Sequence, residues 1–544
     1  MTKPTKAKAP IQEAPQAPTY NDVDVYRLDG PIEDAADYNA TVPNTVTSGL
    51  PFHELDAIGT TIRDKPVLPL GENTPGTVNW QIDYGIITQP HKNVITYAFV
   101  DSAHMTGIYN SPHWQEKYEF TEQYGYSPFT EIQRVGARQA MTNWDDLVAV
   151  TFKEVNGPGG ADITLANTFT GPAQAHAYIP YNWGDPAFEH IMGDVWTADP
   201  LYNPSNAQIL PGQYGLQTLN HEIGHSLGLS HPGNYDFGDD QDGDGEPDPI
   251  EYVGDAFYYQ DSHQYTIMSY FDGYETGSDT IDWNLMRYVY PSTPMVHDVA
   301  IIQSKYGADM TTRTGDTTYG FNATADVTNA AMRFEPNEML TVFTIWDAGG
   351  NDTLDLSGYN SNSIIDLREG GYSSAGGPGR ELTLAEINAN NAAAGLGNRT
   401  AAYDLYFGGR EGANEGVPWS EIVNTDFVMD NNIGIAYGAI VENAIGGGGN
   451  DRINGNQANN KLTGNGGADT FIFVNDGSTD TITDFKSGTD KIDLSEIAGL
   501  NASKVFFNAA QDKLFVNTDA DAEYEMTIIV KGDDVNPMTD LFFG

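Results

Sequence analysis

Apolar residues follow two different patterns along the chain. Up to about residue 306, helical and strand spacings are mixed. The run VITYAFV at 94–100 reads as a strand. Ile132, Val135, Ala140 and Trp144 mark one face of a helix. ADITLAN (161–167) and AQAHAYI (173–179) read as further strands. A second helix is expected over about 215–229. A third is expected over about 295–306, with Pro294 at its start, Gly307 just past its end, and Met295, Val299, Ile302 and Tyr306 as its apolar face. After 307 helical patterning fades. Gly, Asn, Asp and Thr dominate, and short apolar alternations stand between turn signals. A nine-residue repeat emerges there: GGGGNDRIN from Gly446, GNQANNKLT from Gly455 and GNGGADTFI from Gly464. The first and third copies fit a calcium β-roll nonapeptide, and the middle one has Asn460 where an Asp should stand.

Residues 1–35, rich in Pro, Ala, Lys and Thr, read as a flexible leader or propeptide. The expected organisation is this leader, an α+β domain over 36–306 and an all-β domain over 307–544.

Composition narrows the partners. Among 544 residues, 76 are acidic and 26 basic, a formal charge of −50. Such a chain is a poor match for nucleic acid or anionic membrane and a good one for hard cations such as Ca²⁺. There is no cysteine, so neither disulfides nor thiolate chemistry is available. No apolar run reaches the roughly 18 residues of a membrane span, and no apolar signal segment opens the chain.

Residues 221–231 read HEIGHSLGLSH. His221 and His225 are four apart, on one helical face. Gly228 lets the chain turn sharply and bring His231 back as a third ligand. Three neutral imidazoles leave one position of a zinc ion open, and the ion lowers the pKa of a bound water to ~7. Glu222, beside the first ligand, is placed to take that proton and pass one to a leaving amine.

This motif resembles the signature of the metzincin metallopeptidases. A Met-turn candidate follows at Thr266-Ile267-Met268-Ser269-Tyr270. Met268 would form an apolar floor under the imidazoles. Tyr270 matches the tyrosine that, in serralysins and astacins, acts as an extra zinc ligand and then stabilises the oxyanion. His231-Pro232-Gly233, the stretch from Arg313 to Phe321, the stretch Trp346 to Asp352 and the β-roll repeats resemble the serralysin branch. The resemblance implies a metzincin-like α+β catalytic domain, a C-terminal β-roll or sandwich domain, and a secreted, calcium-stabilised zinc endopeptidase made as a zymogen and acting as a monomer. It also implies that 173–180 is the edge strand that binds peptide substrates by main-chain hydrogen bonds.

Calcium sites carry over residue by residue. Carbonyls of Arg313, Gly315 and Thr317, with Asp347, Gly349 and Asp352, would form one linker site. Gly350, Asp352 and Glu442 would form a second, where Ile440 departs from the usual Thr. In the repeats, Gly447, Gly449 and Asp451 would share ions with Gly464, Gly466 and Asp469. Separately, Asp240, Asp242, Asp244, Glu246, Asp248 and Glu251 match the twelve-residue EF-hand loop, with Gly245 at its sharp turn. Pro247 and Pro249 speak against flanking helices.

The segment Thr483 to Asp493 resembles the close of serralysin β-rolls. The final TDLFFG resembles the uncleaved signal read by a type I secretion apparatus, which would export the chain without a signal peptide. No function is read in 372–427. A calcium-dependent adhesin or surface protein with a structural zinc would share the repeats, but the zinc and Met-turn motifs argue against it. Casein hydrolysis discriminates the two.

Overall fold

Short β-branched runs and one long capped helix build the first half around a sheet. The computed structural model describes residues 94–101, 122–158, 161–179, 191–229, 231–233, 235, 250–256, 259–335, 338–400, 426–475, 477–518 and 524–543. The leader and all of the acidic loop but Ile250 and Glu251 lie outside the described residues.

The first sheet comprises β1 (Val94–Phe99), β2 (Tyr126–Ser127), β3 (Thr151–Glu154), β4 (Ile163–Thr168), β5 (Ala175–Ala177) and β6 (Asp194–Ala198), in the order β3-β1-β4-β6-β5 with β2 beside β4. β1, β3, β4 and β6 run parallel. β5 is antiparallel to β6 and lies at the end of the sheet.

Helix α1 (Glu131–Asp145) starts with a capping box: Thr130 and Gln133 each bind the other's backbone N–H. Its buried stripe differs from the expected one. Ala137, Ala140, Met141 and Trp144 are buried, whereas Ile132 and Val135 are 51% and 57% exposed. At about 100° per residue, Val135 stands roughly 180° from Trp144 and Ile132 about 120°. The bulk of Trp144 decides which stripe is buried.

Helix α2 (Tyr214–Ser226) crosses α1, and Gly136 and Gly224 permit close contact. A Cβ at Gly136 would overlap Ile209, and one at Gly224 would press on Met268 Sδ. Trp144 Nε1 donates to Asn220 O (3.2 Å). Further on come α3 (Tyr252–Asp255), the hairpin β7 (Ile281–Asp282) and β8 (Arg287–Tyr288), and α4 (Val296–Tyr306).

After Gly307 the chain lays three-residue strands alternately into two parallel sheets. β9 (Thr318–Gly320), β11 (Thr353–Asp355), β15 (Asn443–Ile445), β17 (Lys461–Thr463) and β19 (Thr479–Phe485) share one sheet. β12 (Ile364–Asp366), β16 (Arg452–Asn454), β18 (Thr470–Ile472), β20 (Lys491–Asp493) and β24 (Leu541–Phe542) share the other. The middle residue of successive strands points inward: Leu354, Ile365, Ala444, Ile453, Leu462, Phe471, Ile482 and Ile492 are all fully buried. The hairpin strands β21 (Val505–Asn508), β22 (Lys513–Val516) and β23 (Met526–Gly532) extend the first of these sheets. β10 (Phe343–Ile345), β13 (Tyr372–Ser373) and β14 (Ile433–Ile435) form a small sheet facing α4, where Gly434 meets Val296.

Helical structure does recur after 307. Helix α5 (Leu384–Ala393) has a capping box of Thr383 and Glu386. It docks on the β7–β8 hairpin: Asn391 donates to Leu285 O (2.8 Å) and accepts from Arg287 Nε (2.8 Å). One apolar core runs from the first sheet through α4 into the wound strands. No helix among the described residues is long and apolar enough to cross a membrane.

Candidate metal centre

Helix α2 places His221 and His225 one turn apart. It stops at Leu227 and Gly228, whose φ of +94° is left-handed and favours glycine. The chain beyond the turn then brings His231 up against them. The three imidazoles are buried and converge, with ligand atoms within 4.8 Å of one another. Nε2 of His231 lies 3.1 Å from Nε2 of His225 and 3.3 Å from that of His221.

Each Nδ1 faces a backbone carbonyl: His221 faces Ile267 O (2.7 Å), His225 Leu229 O (2.8 Å) and His231 Tyr235 O (2.9 Å). A carbonyl only accepts, so each Nδ1 carries the proton and each Nε2 lone pair points to the common centre. Nitrogens about 2.0–2.1 Å from a tetrahedral zinc would stand about 3.4 Å apart, close to the spacing observed. Burial pushes His221 down to about 3 and His225 well below the usual imidazole value, so both are neutral donors.

Ile267, whose carbonyl orients His221, is itself pinned. Its N–H donates to Asp298 (2.8 Å), which also accepts from Thr266 Oγ1 (2.6 Å) and from Met295 N at the start of α4 (2.8 Å). Met268 is fully buried beneath the site against Gly224. The Tyr270 ring lies 4.4 Å from that of His231 and 6.1 Å from that of His221. Glu222, on the same helix, is buried. Its Oε2 has no hydrogen-bond partner among the described residues, and burial raises its pKa to about 8.

At the sheet edge, β5 contains His176. Its Nε2 sits 3.2 Å from Glu122, which also accepts from Tyr178 OH (2.6 Å). Burial alone would raise Glu122, but these hydrogen bonds hold it at about 2.

The linker residues also converge. Asp347 accepts from Tyr319 OH (2.6 Å) and Gly349 N (2.8 Å). Asp352 accepts from Thr317 N (2.7 Å), and its buried Oδ2 has no hydrogen-bond partner among the described residues. Glu442 accepts from Asp352 N (2.7 Å). Gly350 packs directly on Gly315 O, and a Cβ there would collide with it. Burial, with Asp347 and Glu442 adding repulsion, raises Asp352 to about 7. Arg313 aims its guanidinium at Asp146 (2.7 Å) and Trp346 O (2.7 Å). Ile440 is exposed.

In the repeats, Asp451 accepts from Gly447 N (2.6 Å) and Ser363 N (2.7 Å), and Asp469 accepts from Asp451 N (2.9 Å). Asp490 continues the row by accepting from Asp469 N (3.1 Å). Burial raises Asp451 to about 6 and Asp469 to about 7. Gly466 N donates to Gly447 O (3.0 Å), Gly464 closes on the Asp469 carboxylate, and Gly449 backs onto Ser361.

Of the acidic loop, only Ile250 and the candidate ligand Glu251 are described. Glu251 is exposed and stands at the N-cap position of α3 without a side-chain capping bond; Asp240, Asp242, Asp244, Glu246 and Asp248 lie outside the described residues.

Sequence reasoning missed the three carbonyls and Asp298. Carbonyls carry no side-chain signal. Only the Pro294-to-Asp298 helix start hinted at the carboxylate.

Comparison with known proteins agrees with this arrangement. Residues 308–416 and 421–541 match the family model described as Peptidase M10 serralysin C terminal. The chain is 34% identical over 382 residues to a serralysin of Proteus mirabilis, covering 68% of each chain. It is 36% identical over 411 residues to the metalloprotease AprA of Pseudomonas entomophila (strain L48), covering 71% of each. With serralysin C of Dickeya chrysanthemi it shares 38% over 284 residues, covering 50% of this chain and 54% of that one. The chain belongs to the serralysin family of zinc metalloendopeptidases.

Proposed function

We propose that His221, His225 and His231 hold the zinc, that Glu222 is the general base and that Tyr270 stabilises the oxyanion, in a secreted endopeptidase that cleaves protein substrates. The observation that carries this reading is the convergence of three Nε2 lone pairs, each fixed by a carbonyl behind it. When bound, the metal supplies Lewis acidity toward water and the scissile carbonyl. The unpartnered Oε2 of Glu222 takes the proton of the attacking water and later passes it to the leaving amine. The Tyr270 hydroxyl donates to the oxyanion of the tetrahedral intermediate. The substrate lies along the open edge of β5 as an added strand, so recognition is mainly by backbone.

The catalytic metzincin-like domain ends near residue 306, and the wound strands beyond form the calcium β-roll. The linker groups Asp347, Asp352 and Glu442, and the row Asp451, Asp469 and Asp490, take calcium. The 240–251 loop takes one more ion as an isolated EF-type loop. The protein acts as a monomer and leaves the cell by a type I route.

The test is Glu222→Gln. We expect one zinc per chain to be retained and casein hydrolysis to fall about a thousandfold. Unchanged cleavage would remove Glu222 from the mechanism.

A further inference from the structure

Tyr235 touches the proposed zinc site at three points. Its carbonyl accepts from His231 Nδ1 (2.9 Å). Its ring lies nearly parallel to the His231 imidazole, 11° apart in plane and 5.6 Å between centroids. The same ring meets that of Tyr270 at 5.2 Å. It is 1% exposed and seated on Gly233, where a Cβ would run into it. The outer end is fixed as well: Tyr235 OH donates to Asp261 Oδ1 (2.8 Å). Asp261 is fully buried, seven residues before Met268 and two before a loop closed by His263 N donating to Phe271 O (2.8 Å). That loop carries Tyr270. The Tyr235–Asp261 bond therefore ties the segment bearing His231 to the segment bearing Tyr270.

We propose that Tyr235, clamped by Asp261, is a positioning residue that sets the orientation of His231 and its spacing from Tyr270. A lone aromatic packed on a histidine needs no buried carboxylate at its far end. A buried carboxylate is costly to keep unless its hydrogen bonds are used, and Asp261 is bonded by the Ser269 side chain as well as by Tyr235. Here the hydroxyl fixes how far the ring and its carbonyl can rotate, and the carbonyl fixes the His231 tautomer. Loss of an outer-shell partner of a metal-bound histidine typically lowers metal affinity about 10- to 100-fold.

This inference rests on the zinc reading of His231, so the experiment separates the two. Zinc affinity of the calcium-loaded full chain is measured by competition with a chelator for the wild type, His231→Ala, Tyr235→Phe, Asp261→Ala and Asp261→Asn. Melting temperature is recorded for each with zinc removed. Tyr235→Phe keeps the ring and carbonyl and loses only the hydroxyl. It should weaken zinc binding about tenfold and leave the zinc-free melting temperature within a few degrees. Asp261→Ala should do the same. Asp261→Asn keeps an acceptor oxygen and should restore zinc binding to within about twofold of wild type. If His231→Ala binds zinc as the wild type does, the zinc reading itself fails. If His231→Ala loses zinc while Tyr235→Phe binds as tightly as wild type, or Asp261→Asn is no better than Asp261→Ala, the positioning role is refuted and the zinc reading stands.

Discussion

The histidine centre and the row of aspartates in the wound strands solve opposite problems. At the first, each of the three imidazoles is held by a backbone carbonyl. Backbone carbonyls, rather than charged side chains, set the geometry of this centre. At the second, Asp451, Asp469 and Asp490 are buried along one edge, each raised by burial, with neighbouring carboxylates adding repulsion at Asp469 and Asp490. That edge needs a cation or protons to be stable.

The opposite edge of the same winding shows a third solution. Asn460 stands in the repeat position of Asp451 and Asp469 and is buried like them. Its Oδ1 accepts from Asn456 N (2.7 Å), as Asp451 does from Gly447 N. Its Nδ2 donates to Glu442 O (3.0 Å) and Asn456 Oδ1 (2.7 Å). Asn456 in turn donates to Leu367 O (3.0 Å) and Val441 O (2.8 Å). Amide N–H groups occupy the carbonyls that a cation would otherwise neutralise. One edge stacks buried carboxylates, and the middle turn of the other is closed by amide hydrogen bonds.

The largest expected effect separates the two metals. Stripping zinc while keeping calcium should lower casein cleavage more than about a thousandfold, because the attacking water loses its shift from roughly 16 to 7 in pKa. Circular dichroism should show the fold intact. Stripping calcium alone should unfold the wound strands. Loss of fold on removal of zinc alone would break the comparison.

Next is Asp469→Asn. Removing one buried charge should stabilise the calcium-free chain by on the order of 1–2 kcal/mol and destabilise the calcium-loaded chain, as read from urea midpoints. An effect of one sign in both conditions would contradict the ion requirement. Asn460→Asp should do the reverse, costing about 1 kcal/mol in chelator because two amide donors are lost. Bound calcium should rise by one ion. An unchanged count would show that the middle turn cannot be converted.

The smallest effect is in pH. Asp451 and Asp469 have folded pKa values of about 6 and about 7, above their ordinary value. The calcium-free fold therefore holds more protons than the unfolded chain between about pH 4 and 7, and its stability falls as pH rises through that window. Saturating calcium should remove this slope. A calcium-free chain that gains stability from pH 5 to 7 would contradict it.

Much of this was legible in sequence because side chains carry it. The HExxHxxGxxH spacing places the imidazoles, and the Gly-rich nonapeptides place the short inward-pointing strands. Less legible was what depends on backbone or on the competition between faces. On α1 the expected Ala140 and Trp144 are buried, whereas Ile132 and Val135, though apolar, face solvent because the Trp144 side fits against α2 and Asn220. Helix α5 was missed, although its Thr383–Glu386 capping box was written in the chain. The orienting carbonyls of Ile267, Leu229 and Tyr235 have no residue signature at all.

The most direct test of the central claim is X-ray absorption at the zinc edge of the calcium-loaded chain, repeated on His225→Ala. The account predicts three imidazole nitrogens at about 2.0–2.1 Å in the wild type and loss of the ion in the variant. A first shell with fewer than three imidazoles, or zinc held equally by the variant, would contradict it.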